Sequence, residues 1–559
     1  MRAIWYSIIS LLALSILFSC AKPGSPTGGP KDTQSPVVEE TSPPAGATQV
    51  SPGHIDIKFN EYVELNNIQQ NLIVSPPFSE KPDVRIRGKG IRIVLPEEPK
   101  ENTTYSFTFL DAIADITERN KVSSMVYAFS TGDEIDSLRM GGSVTDAWTE
   151  DKIQDALVML YKNPADSAFK TSEPYYLTKT NKDGDFRFFY LAPGKYRIYA
   201  LEDANNSFTF DQPNEKIAFL DSLIIPQVSI ERDSTDTIVH YTPHNIQLRL
   251  FEPEQYQQFI ESSSRPRPDK LEVYFKRPQD SLINWYSPDF SEEDVYTEFS
   301  DNADSLQFWL RDSSLTQQDS LRMILSYYSG IDTIGRQIDT LVFSPENEAK
   351  PILKIASGVS GGTLNYWDSL QVESPSLLAS IDTSRMQLFR IINDSTTKSL
   401  PVDAGISQAL TVNIKAKIIP GKSYRLIVDS AAITDVFERS NDSTTIEFSV
   451  NEENDFAGLK LSIPGTNESW FCDVMQSDKL IRRKAGKASG TFEFQRMEPG
   501  TYDIRLVHDA NQNLEWDTGD FDKSRQPEDV YYKSESIELR AGWTQETEWL
   551  LFNSKDEEK

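Results

Sequence analysis

Asp183-Gly184-Asp185-Phe186-Arg187-Phe188, followed by Leu191-Ala192-Pro193-Gly194-Lys195-Tyr196-Arg197-Ile198, sets two turn signals between alternating apolar runs. Asp-Gly supplies the positive φ that a tight hairpin needs, and Pro-Gly supplies a second reversal, so the stretch predicts turn-linked strands. The same stretch returns 306 residues later. Gly184, Phe186, Phe188, Pro193, Gly194, Tyr196, Ile198, Asp203, Ala204, Asn205 and Asp211 recur at that spacing as Gly490, Phe492, Phe494, Pro499, Gly500, Tyr502, Ile504, Asp509, Ala510, Asn511 and Asp517. The matches fall at turns and on inward faces, the positions a β sandwich constrains. The chain therefore carries a duplicated module.

Outward from this pair the β pattern continues. Ile55/Ile57/Phe59, Ile91/Ile93/Leu95, Tyr105/Phe107/Phe109 and Tyr127/Phe129/Thr131 alternate between turn clusters such as Pro43–Thr48 and Gly88-Lys89-Gly90, which predicts a sandwich over 36–133. Its features return too: Asp435 to Asn441 echoes Asp115 to Asn120, Tyr424 stands for Tyr105, and Phe448-Ser449 repeats Phe129-Ser130. Between the copies, Ile246/Leu248/Leu250, Leu271/Val273/Phe275, Leu306/Phe308/Leu310 and Met323/Leu325/Tyr327 alternate as a further β domain, with Arg265-Pro266-Arg267-Pro268 reading as a connector. The expected fold is all-β: tandem β sandwiches in an A-B-middle-A′-B′ order. The boundaries are 36–133, 139–225, 226–349, 350–450 and 455–552. At 559 residues the chain is too long for a single core.

The opening Pro43-Pro44-Ala45-Gly46-Ala47-Thr48-Gln49-Val50, the Tyr105–Phe109 strand and the closing Ala128-Phe129-Ser130-Thr131-Gly132 resemble the bacterial Ig-like domain of surface-layer and lipoprotein chains. That family carries Gly-Asn where Arg119-Asn120 stands here, so this loop is expected to differ. The repeated module resembles the transthyretin-like, or carboxypeptidase-regulatory-like, β sandwich, a non-catalytic unit of exported bacterial proteins. As a whole the chain resembles multi-domain Ig-like lipoproteins of diderm bacteria.

The N-terminus agrees with that resemblance. The apolar run Ile4–Phe18 is shorter than the ~20 residues a spanning helix needs. It ends in Leu17-Phe18-Ser19-Cys20, which resembles the bacterial lipobox, so 1–19 reads as a signal peptide and Cys20 as the lipid-bearing residue. Lys22, where retention signals carry Asp, implies the outer membrane, with the periplasmic and cell-surface sides both open. Residues 20–35 form a Pro/Gly-rich tether of roughly 20 Å reach. With Cys20 acylated, Cys472 is left alone, so no disulfide is expected and Cys472 reads as a buried, inert thiol.

Charge and motifs bound the function. Asp and Glu number 85 against 56 Lys and Arg, a formal charge of −29, which repels nucleic acid. No H-E-x-x-H or phosphate-cradling glycine loop is present, and the four histidines are scattered, so the chain does not read as an enzyme. One loop could carry a cation. Asp509, Asn511, Asn513, Glu515, Asp517 and Asp520 fall at positions 1, 3, 5, 7, 9 and 12, the spacing that wraps a chain around Ca²⁺, although Leu514 replaces the usual glycine. The plain alternative is a polar Asx-turn loop closing a hairpin. The sister loop keeps Asp203, Asn205, Ser207, Thr209 and Asp211. The expected partners are a membrane, through the lipid, and an unidentified envelope protein. A glycan-binding lipoprotein of an uptake system, using Trp148, Trp285, Trp309 or Trp516 as sugar platforms, is the alternative, with Trp309 the more core-like of the four.

Overall fold

The computed structural model describes residues 32–551 except 123–124, 163–166, 173, 206, 233–236, 255–257, 279–282, 301, 330–335, 348–351, 360, 465–468 and 487–489. Cys20, the signal segment and the tether up to Lys31 lie outside the described residues. Strands dominate, and the chain divides into two compact units, the first ending at Pro253 and the second beginning at Glu254. Among the described residues no helix is long and apolar enough to cross a membrane.

In the first unit, Val38–Ser42, His54–Phe59, Gly90–Val94 and Asp83–Arg87 form one sheet, and Leu72–Ser75, Thr104–Phe109 and Met125–Ser130 form the other. Alternation does what the sequence implies. Ile55, Ile57, Ile91 and Ile93 from one sheet bury against Tyr105, Phe107 and Phe129 from the other. Each such side chain contributes about 1.5–3 kcal/mol by leaving water. The loop at Arg119 was expected to depart from the Gly-containing form. Arg119 nevertheless takes the left-handed φ of 63°, and Asp115 holds the turn by accepting the amides of Thr117, Glu118, Arg119 and Asn120 at 2.6–3.1 Å.

The next sandwich pairs the sheet Asp185–Leu191, Leu138–Asp146, Ile246–Leu250 with the sheet Tyr176–Lys179, Leu157–Tyr161, Arg197–Leu201, Ile217–Phe219. Here the boundary at 225 is corrected. Ile246–Leu250 runs parallel to Leu138–Asp146, with Gly142 opposite Ile246, and Ile246, Leu248 and Leu250 complete this core rather than the middle one. Alternation reveals a buried face but not the sheet it belongs to, and a parallel partner a hundred residues away carries no turn signal. Gly142 is needed at this crossing, because a Cβ there would sit 2.0 Å from the Ile246 carbonyl oxygen.

In the second unit the middle domain pairs Ile260–Arg267, Lys270–Phe275, Ser305–Leu310, Val295–Phe299 with Asn284–Tyr286, Leu321–Tyr328, Arg336–Phe343. The Arg-Pro stretch read as a connector lies on its first strand instead. Arg265 is fully buried and donates to the carbonyls of Pro268, Leu315 and Gln318 at 2.8–3.2 Å. Those carbonyls offset the desolvation of its charge.

The fourth domain places Leu370, Val372, Val412 and Ile414 against Leu388, Tyr424, Leu426 and Phe448. The fifth repeats the second strand for strand: Ala457–Ser462 pairs antiparallel with Thr491–Met497 and parallel with Thr544–Glu548. The duplication extends to backbone detail. Gly184 and Gly490 have φ of 76° and 66°, Tyr190 and Arg496 both have 58°, and the hydroxyls of Tyr196 and Tyr502 each donate to the carbonyl four residues upstream at 2.8 Å. Cys472 is free and fully buried, and burial pushes its thiol pKa well up, which suppresses the reactive thiolate.

Candidate cation loop

The strand Gly500–His508 delivers Asp509 to the end of the fifth sandwich, where its amide donates to the Ser469 carbonyl at 2.9 Å. Asp509 is buried. Its two oxygens accept the amides of Asn513 at 3.0 Å and Leu514 at 3.1 Å, which folds the loop back over its own start. Asn511 Oδ1 also accepts the Asn513 amide at 3.1 Å, and Asn513 Oδ1 accepts Glu515 N at 2.8 Å. Asn511 Nδ2 closes across the loop to Asp517 at 2.6 Å.

The residue at the usual glycine position reaches the same backbone without glycine. Leu514 adopts a φ of 62°, a strain of roughly 1–2 kcal/mol for an L-residue. Its carbonyl is held by Arg483 Nη1 at 2.7 Å, and Arg483 is itself fixed by two contacts to the buried Asp473 at 2.7 and 2.9 Å. A fixed arginine thus clamps the strained turn.

Glu528 escaped the sequence reading. It returns on the far side of the loop and accepts Ala510 N at 2.8 Å and Asp517 N at 3.1 Å. Burial, followed by the nearby carboxylates of Asp517 and Asp509, holds its pKa above the usual carboxylate value. The signal was present in the sister loop. There Glu215 accepts the amides of Ala204, Asp211 and Gln212 at 3.1–3.2 Å, but it lies seven residues out of the 306 register, so a constant offset passes over it. The rest of the sister loop follows the same plan: Asp203 accepts Ser207 N and Phe208 N, Asn205 bonds Asp211 at 3.0 Å, and Phe208 has a φ of 59°.

The structure therefore brings together Asp509, Asn511, Asn513 and Asp517 and adds Glu528. Asp520 is placed elsewhere: it accepts Lys523 N at 3.1 Å, pairs with Lys523 Nζ at 2.9 Å and bridges the backbone of Arg525, closing a turn of its own. Glu515 is exposed. Among the described residues no group of three or more His, Cys, Asp or Glu side chains is disposed to hold a metal ion.

Each of the four tryptophans has its own local setting. Trp309 is buried with Tyr296, Trp285 packs on Phe290 and Phe308, and Trp516 donates to the Glu528 carbonyl at 3.1 Å. Trp148 is half-buried beside Asp146 in the first unit.

Residues 32–131 match the family model for the bacterial Ig-like domain, so the first sandwich is a domain of that kind. No curated protein matches the chain. Among solved structures, the major pilin subunit of Bacillus cereus is 10% identical, aligned over 74% of this chain and 99% of its own, with a TM-score of 0.15. A segment of Escherichia coli alpha-2-macroglobulin is 10% identical over 45% of this chain and 94% of its own, at 0.17. A bacterial S-layer protein is 10% identical over 91% of this chain and 68% of its own, at 0.14. At such scores these likenesses carry no argument about function.

Proposed function

We propose that the chain is a lipid-anchored, non-catalytic interaction protein of the bacterial cell envelope, an array of β sandwiches held to the outer membrane through an acylated Cys20. The single observation that supports this most is the bacterial Ig-like domain beginning at residue 32, a dozen residues beyond the lipobox-like cysteine. Several acyl chains on Cys20 make anchoring effectively permanent, since each buried CH₂ contributes about 0.8 kcal/mol. The partner is an envelope protein. Ca²⁺ belongs to this reading as a structural ion: Asp509, Asn511, Asn513 and Asp517, with Glu528, offer oxygens to it. Burial is the first cause of the raised Glu528 pKa, and the repulsion from Asp517 and Asp509 that adds to it is what a cation relieves. So few carboxylates imply weak affinity, with a Kd on the order of 10⁻⁴–10⁻³ M, as in extracellular modules.

The test of anchoring is Cys20→Ala in cells. Palmitate incorporation should vanish and the protein should leave the membrane pellet. Unchanged palmitate labelling in the variant would remove the anchor from the account.

A further inference from the structure

We propose that the cleft between the first two sandwiches binds an amphipathic monocarboxylate, a ligand with an apolar body and one anionic head. Leu72–Ser75 is the edge strand of one sheet and Tyr176–Lys179 the edge strand of another. They are pinned together at Ser75, whose buried hydroxyl donates to the Leu177 carbonyl at 3.1 Å and accepts the Leu177 amide at 3.0 Å. Beside this pin lies a cleft of about 350 Å³, within the size range of small-molecule sites.

Part of its wall is apolar, from Leu72, Pro77, Phe78, Leu157, Leu177 and Phe208, and the carboxylates Glu80, Asp155 and Asp203 also line it. Two ammonium groups stand among them. Lys81 Nζ lies 5.3 Å from the centre of the Phe208 ring and donates to the Gln69 carbonyl at 2.9 Å, and Lys179 Nζ donates to the Gln70 carbonyl at 3.2 Å. Among the described residues neither has a carboxylate within ion-pair distance. Burial holds the Lys179 pKa below its ordinary value and Lys81 adds to the fall, while Asp155 and Asp203 oppose it. Of the three acids, Asp203 is occupied by the amides of Asn205, Ser207 and Phe208.

Two unpaired ammonium groups ask for an anion, since charge-assisted hydrogen bonds are the strong ones. Glu80, Asp155 and Asp203 limit that anion to one charge, because a dianion would meet their repulsion at close range. The apolar part of the wall asks for a largely apolar body. An acyl chain ending in carboxylate and an apolar peptide C-terminus share this chemistry, and the test separates them.

Binding to the full chain is measured by calorimetry with dodecanoate and with N-acetyl-Leu-Leu-Leu, each against its uncharged amide. At least one carboxylate should bind, and its amide should bind about tenfold weaker or worse. Dodecanoate alone assigns the acyl source and the tripeptide alone the peptide source. Lys179→Met should reproduce the amide's loss. If its melting temperature falls, the exposed Lys81→Gln takes its place and should weaken the carboxylate at least severalfold. Equal binding of carboxylate and amide, carboxylate binding unmoved by the substitution, or no binding of either carboxylate at millimolar concentration would overturn the proposal.

Discussion

The two sandwich pairs are built from the same modules but manage their sheet edges in opposite ways. In the first pair the edge strand Leu72–Ser75 has nothing beyond it in its own sheet and is pinned to the edge of the next sandwich through Ser75. Its counterpart in the second pair is Met386–Asn393, identified because it flanks the strand holding Tyr424 as Leu72–Ser75 flanks the strand holding Tyr105. That strand is covered by an extra one, Thr396–Leu400. The other edge differs too: Tyr176–Lys179 has four residues, whereas Lys479–Ala485 has seven and carries Lys479, Arg482, Arg483 and Lys484. Open edges template unwanted pairing unless they are paired, covered or charged. The first pair covers one edge with the other, and a cleft results. The second pair protects each edge separately, and its sandwiches meet instead through Trp367, which lies 4.6 Å from Phe456 and beneath Arg496 at 4.8 Å.

The Ig-like domains show the same contrast at one residue. Arg439 is largely buried and joins its own Asp435 and the middle domain's Asp269, both at 2.7 Å, with Ser376 Oγ at 3.0 Å. Arg119, at the matching position, is 79% exposed and reaches only Glu64, at 3.6 Å. Arg439→Ala leaves the buried Asp435 without its cation and Asp269 with Arg267 alone, at 3.1 Å, and should destabilise the second unit by about 3 kcal/mol. Arg119→Ala should cost at most about 1 kcal/mol. Urea midpoints of the two variants, read on the full chain, measure the gap, and equal losses would erase the contrast.

A smaller effect is expected at the pinned edge. Ser75→Ala leaves the buried amide and carbonyl of Leu177 without their hydroxyl partner and should cost about 1–3 kcal/mol in the first unit. Hydrogen exchange should rise at Leu177 and stay unchanged across Met386–Asn393. Unchanged protection at Leu177 would mean that the edges hold without the serine.

The smallest effect distinguishes the two loops. At a calcium concentration ten times Kd the fifth sandwich should gain about 1.4 kcal/mol, a rise of a few degrees in Tm. Asp509→Ala should erase the increment and Asp203→Ala should not. Mg²⁺ should do less, because it dehydrates reluctantly. The sign with pH follows from Glu528. Its raised pKa means the fold without a cation favours the protonated acid, and a cation must displace that proton, so the calcium increment grows as pH rises above the ordinary carboxylate range and shrinks in acid. A calcium increment that is absent, or independent of pH, would leave the loop a plain polar closure.

How far the sequence could be read follows the same physics. Strand faces were legible, because Ile55, Ile57 and Phe59 alternate with polar residues and every one is buried. The duplication was legible because turns fix residue type. Pairing across long separations was not: nothing near Ile246–Leu250 announces its parallel partner at Leu138–Asp146. Arg265 was misread because alternating Arg and Pro suggests a loop, and only coordinates reveal the carbonyls that accept its charge. Of the cation loop, the Asx geometry was legible from spacing, whereas Glu528 sits just before the strand Val530–Tyr532, at the end of a loop that differs in length between the copies, and Lys523 draws Asp520 away.

The most direct test of the architecture cuts the chain at its two competing boundaries. A fragment of residues 32–253 keeps the strand Ile246–Leu250, while 32–225 lacks it together with three buried side chains worth about 1.5–3 kcal/mol each. Calorimetry should give cooperative melting of both sandwiches for 32–253, whereas 32–225 should keep only the transition of the first sandwich. A fully cooperative 32–225, melting where 32–253 does, would contradict the account.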